Sequence, residues 1–115
     1  MQFAFHNFDA SITAVLANAD RFVKSVRKNP TAANFNNNIG GAARRITQNI
    51  GQVEKLRKNG HDLGKDHARA TELFNTLDPW ANGRMQVPAN ANSVKVLARL
   101  VEFNNHVNAV KAWWA

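Results

Sequence analysis

Apolar side chains recur along the first part of the chain at Ile12, Val15, Leu16, Ala19, Phe22, Val23 and Val26. Steps of three and four put all seven on one face of an α-helix for about four turns. Asp9 or Ser11 offers a cap at its start. Arg27, Lys28 and Asn29, followed by Pro30, mark its end, because proline cannot continue a helix interior. A second stripe of Ile39, Ala42, Ala43, Ile46, Ile50 and Val53, with Leu56 at its margin, predicts a helix from Ile39 to an Asn59-Gly60 stop. Between the two, Pro30 to Asn38 reads as a loop or a short helical turn around Phe35, since Asn34, Asn36, Asn37 and Asn38 crowd together. Gly40, Gly41 and Gly51 each cost the second helix about 1 kcal/mol relative to alanine, so its first turn frays or they admit a close neighbour.

A third, shorter helix is predicted from Asp62 or Asp66 to Leu77, with Leu63, Ala70, Leu73, Phe74 and Leu77 inward and Asp78-Pro79 closing it. Residues 79–92 contain Asn82-Gly83 and Pro88 and read as an exposed connection, functional or mobile. Asn92 or Ser93 then caps a last helix carrying Val94, Leu97, Leu100, Val101, Phe103, Val107, Val110 and Trp114. That arc is broad, which places the helix centrally or turns one side of it to a partner. With no internal repeat, the pattern predicts an all-α single domain over residues 1–115, a bundle of four helices with up-and-down topology. A three-helix core with a flexible middle is the alternative.

Composition agrees with a packed domain: 44% of the 115 residues are apolar and 20% charged. There are no cysteines, which excludes disulfides, thiolate metal sites and cysteine nucleophiles. The first residues lack the basic and apolar regions of a secretory signal, and the stretch Ile12 to Ala19 is far short of the roughly 20 residues that span a membrane. The expectation is a soluble protein with no membrane partner, in the cytoplasm or within a virus particle.

Charge changes the picture most. The formal net charge is +7, and it is concentrated: residues 21–58 hold nine Lys or Arg against Glu54 alone, while the rest hold six against seven acids. On a helical projection of the second helix, Arg44, Arg45, Gln48, Gln52, Lys55 and Lys58 share one continuous arc opposite the apolar stripe. On the first helix Arg21, Lys24 and Lys28 also face outward. A solvated face usually interleaves both signs, whereas this one is entirely basic or amide, a composition that can neutralise phosphates and hydrogen-bond sugars or base edges. These nine residues are the candidate nucleic-acid-binding set, and the expected role is structural, packaging or accessory, of viral or mobile-element derivation.

Aromatic residues offer a second class of function. Phe3, Phe5 and Phe8 precede the first helical run as an arm, or fold back over the bundle. The adjacent Trp113 and Trp114 lie about 100° apart on a helix, so a bundle covers one more easily than both; they either seal the core or anchor a partner. On this reading the chain is an adaptor, inhibitor or assembly subunit that meets an acidic protein surface or forms a homo-oligomer.

The stretch from His61 to His67 contains Asp62 and Asp66, but its histidines are six apart and do not share a helix face, so acids at a helix start are the plainer explanation. His6 and His106 would approach if the first and last helices are antiparallel, yet no motif supports ligation. No phosphate loop, nucleophile elbow or HExxH motif occurs. No enzyme activity, cofactor or metal is expected.

Overall fold

The computed structural model describes the backbone of residues 2–58 and 67–114, and the side chains of residues 12–52 and 68–114. Among these, four helices follow in order: α1 (Gln2–Lys28), α2 (Ala32–Lys58), α3 (His67–Ala81) and α4 (Ser93–Trp114). Packing runs from α1 to α2, α2 to α3, α3 to α4 and α4 back to α1, with α1 and α3 on a diagonal. Asn34 at the start of α2 bonds Ser25 near the end of α1, and Asn36 bonds Val87 ahead of α4. The ends of α1 and α3 therefore share one end of the molecule with the starts of α2 and α4. The chain is an all-α, up-and-down four-helix bundle.

The α1 stripe is buried as its spacing predicts, with only Val15 at the margin. On α2, Ile39, Ala43, Ile46 and Ile50 are buried and Ala42 packs against them, while Val53 and Leu56 fall outside the described side chains. At one end of the core each helix contributes one aromatic: Phe22, Phe35, Trp80 and Phe103. Phe22 meets Phe103 edge-on at 5.6 Å and tilts against Phe35 at 5.9 Å, and Trp80 lies 5.5 Å from Phe103. Such offset rings bury large apolar area and add about 0.5–1.5 kcal/mol per pair.

The starts of α1 and α2 and the end of α3 depart from the expectations above, while α1 and α2 end and α4 starts where the sequence predicts. α1 begins at Gln2 rather than after Asp9, so the backbone at Phe3, Phe5 and Phe8 is helical; their side chains lie outside the described residues. α2 begins at Ala32, not Ile39, because the Thr31 hydroxyl accepts the Asn34 N–H at 3.1 Å and Ala32 and Phe35 are buried. A cap and two core contacts outweigh the poor helix propensity of four asparagines, a few tenths of a kcal/mol each. α3 continues through Pro79 to Ala81. A proline in the last turn removes only one helical bond there, and continuing the helix buries Trp80 to 2% exposure.

Residues 79–92 are accordingly not an exposed connection throughout. Trp80, Ala81 and Val87 are buried, and Gly83, with φ of 85°, turns the chain in the left-handed region open to glycine. In α4 the buried set is Val96, Leu100, Phe103, Val107 and Val110, in alternating steps of four and three. Of the broad apolar arc, Val94 and Val101 stand 73% and 54% exposed on the side opposite the buried set. Asn92 caps this helix, its Oδ1 accepting the Lys95 N–H at 3.0 Å.

Candidate anion-binding cleft

Arg21, Lys24 and Lys28 on α1 and Arg44, Arg45, Gln48 and Gln52 on α2 are all exposed. Lys55 and Lys58 lie outside the described side chains. The structure sorts this set. Antiparallel packing of α1 on α2 leaves a cleft of 380 Å³ whose rim brings together Arg21, Arg44 and Arg45, while Lys24 and Lys28 are outside its lining. Gln48 and Gln52 lie further along α2, beyond the lining residues.

Sequence spacing missed the amide half of this cleft. Asn18 and Ser25 line it from α1, and Asn37 and Asn38 from α2, with Phe22 and Ala42 among its apolar residues. Asn37 and Asn38 belong to the segment whose composition reads as a loop or a short helical turn; with α2 starting at Ala32, Asn37, Gly41, Arg44 and Arg45 fall at i, i+4, i+7 and i+8, one face of the helix. Thr31 was the local signal for that start.

Two of the three guanidinium groups are oriented by neighbours. Arg44 Nη1 donates to the Ala81 carbonyl at 3.1 Å, and Arg21 Nη1 donates to Asn18 Oδ1 at 3.2 Å. The side chain of Arg45 makes no ion pair or hydrogen bond among the described residues. Among the described residues no carboxylate lines the cleft. Asp20, the nearest described acid along α1, turns to α4 and receives two bonds from Lys111 Nζ, at 2.7 and 2.8 Å. Glu72 and Glu102 pair with Arg69 and Arg99 within α3 and α4. Three like charges held together with no counter-charge among the described residues create a positive potential that an anion relieves.

A second cleft of 330 Å³ adjoins the first, lined by Asn36, Gly40, Ala81, Asn82 and Gln86, and it shares Asn37, Gly41 and Arg44 with it. Arg44 forms the ridge between them.

Trp113 and Trp114 are both half-buried, their rings 5.9 Å apart and tilted by 54°. The indole Nε1 of Trp113 is buried without a hydrogen-bond partner. His106 packs edge-on against Trp80 at 5.6 Å, and burial there lowers its pKa below the ordinary 6.5, partly offset by Glu102. The His6 side chain and the stretch from His61 to His67 lie outside the described side chains. Among the described residues no helix is long and apolar enough to cross a membrane. Comparisons with protein-family models, with curated proteins and with solved structures find no match to this chain.

Proposed function

We propose that the chain is a non-enzymatic nucleic-acid-binding protein of structural, packaging or accessory kind, which grips phosphates with the outward face of α1 and α2. One observation carries the reading: Arg21, Arg44 and Arg45 converge from two helices on a cleft that no carboxylate lines among the described residues. Arginine suits this role because its planar fork donates in parallel to two phosphate oxygens and stays charged at any physiological pH. Lys24 and Lys28 extend the basic surface along α1 and add long-range attraction. Binding of this kind is driven by counterion release and is largely indifferent to base sequence.

The test is a salt titration of the purified chain against duplex DNA, single-stranded DNA and RNA. The expected result is an affinity for at least one of them that falls as a power of salt concentration, with a slope of about −3 or steeper on duplex if three arginines each meet a phosphate. Arg21→Glu with Arg45→Glu should weaken binding at least tenfold and flatten the slope, with helical content unchanged because both side chains are exposed. Absence of binding at low salt would sink the proposal.

A second reading, association with a protein or with another copy of the chain, is favoured by Val94 and Val101, which leave an apolar strip exposed on α4. Following mass in solution during the same titration separates the two readings.

A further inference from the structure

We infer that the α1–α2 cleft is a discrete pocket for one nucleotide unit, its phosphate held by Arg21, Arg44 and Arg45 and its base or sugar met by the amides of Asn18 and Asn37. This rests on the phosphate-binding reading and sharpens it from a charged face to a shaped site.

Size is the first ground. At 380 Å³ the cleft exceeds what one phosphate fills, and it falls at the small end of the roughly 300–1,000 Å³ typical of small-molecule sites. Its lining divides as a nucleotide does. Three guanidinium groups face a dianionic phosphate, amides supply the donors and acceptors a base edge or ribose requires, and Phe22 adds apolar surface.

Preorganisation is the second. Arg44 is held by the Ala81 carbonyl and Arg21 by Asn18, so part of the entropy cost of fixing these long side chains is met before a ligand arrives. Arg45 and the Asn37 amide have no side-chain partner among the described residues, which leaves their donors for a ligand.

Gly41 is the third ground. Gly40 has an internal reason to lack a side chain: a Cβ there would come within 3.2 Å of Arg44 Nη1 and 3.7 Å of the Ala81 oxygen. Gly41 has none, since an added Cβ would meet nothing within 4 Å, although glycine costs the helix about 1 kcal/mol against alanine. It lines both clefts, and the space above it is open to whatever enters. Gly51 is equally open but lines neither cleft, so it is the place of Gly41 in both that lets a ligand approach the helix backbone there.

The experiment is calorimetric titration of the full chain with each of the four ribonucleoside 5′-monophosphates and with inorganic phosphate. It is repeated on Gly41→Leu, Arg45→Gln and Lys95→Gln. At least one mononucleotide is expected to bind one to one and at least tenfold more tightly than inorganic phosphate. Gly41→Leu alters no charge and its Cβ meets nothing within 4 Å, so it should melt no lower than the parent while losing at least tenfold in nucleotide affinity. Arg45→Gln should lose a similar factor, whereas Lys95→Gln, which removes an exposed charge outside the cleft, should bind as the parent does. Nucleotide affinity unchanged in Gly41→Leu and Arg45→Gln, or equal affinity for inorganic phosphate, overturns the pocket. Long oligonucleotides bound with steep salt dependence but no mononucleotide bound would remove the pocket and leave the basic face standing. Failure to bind either removes both.

Discussion

Asn36 is held at both ends of its amide: Nδ2 donates to the Val87 carbonyl at 2.8 Å, and Oδ1 accepts the Val87 N–H at 2.9 Å. The two bonds give an irregular segment the backbone partners that a helix would have supplied. Asn34 does comparable work two residues earlier, donating to the Ser25 and Asn29 carbonyls at 3.3 and 3.0 Å and closing the end of α1. Much of the asparagine richness thus has a physical use, because one short side chain both donates and accepts close to the backbone. Asn36→Ala leaves the buried Val87 groups unsatisfied and is expected to cost about 1–3 kcal/mol, seen as a lower urea midpoint at unchanged slope. Asn37→Ala, whose amide has no described partner, should shift stability by less than about 0.5 kcal/mol. Equal shifts for the two would deny Asn36 its clasping role.

At the scale of the element, α2 carries both the core stripe and the cleft wall. Its apolar stripe was legible in sequence because burial imposes the 3.6-residue period, and Ile39, Ala43, Ile46 and Ile50 obey it. Its start was not, because Asn34, Asn36, Asn37 and Asn38 signal a loop by propensity while their roles depend on partners as far away as Val87. The same helix offers a paired test of its glycines. Gly41→Ala is expected to stabilise the fold by about 0.5–1 kcal/mol, since the added methyl meets open space and the unfolded chain loses freedom. Gly40→Ala should gain less, because its Cβ would press on Arg44 Nη1 and loosen the bond to Ala81. Thermal melts decide between them, and an equal gain would mean that this bond adds nothing measurable.

For the molecule as a whole, charges are segregated by side. Asp20, Glu72 and Glu102 are matched within or between α1, α3 and α4, by Lys111, Arg69 and Arg99, Asp78 on α3 makes no ion pair among the described residues, and most of the described basic excess lies on the α1–α2 flank. Exposed pairs of this kind contribute little to stability, typically under about 1 kcal/mol, so the arrangement bears on surface potential more than on folding. Response to acid depends on the contact of α3 with α4, where His106 lies against Trp80. Burial lowers its pKa in the folded state, so the unfolded chain binds the proton more readily. The stability this contributes is present above the ordinary value near 6.5 and is lost as pH falls through the lower folded value. Unfolding free energy should therefore decline as pH drops below about 6.5, and His106→Gln should flatten that decline. An identical pH profile in the variant would show that His106 is not its source.

Sequence alone determined the helical class, the order of four helices, the buried faces of α1 and α2 and the segment bearing the charge. Each of these follows from local period or composition, which neighbouring residues set among themselves. Tertiary structure decided where α1 and α2 begin and where α3 ends, the burial of Trp80 and the outward turn of Val94 and Val101. It also decided which basic residues meet. Arg21 is more than twenty positions from Arg44, and only antiparallel packing of α1 on α2 brings them to one cleft with Asn18 and Asn37. Periodicity assigns each side chain to a face, and the contact between faces depends on how the whole core packs.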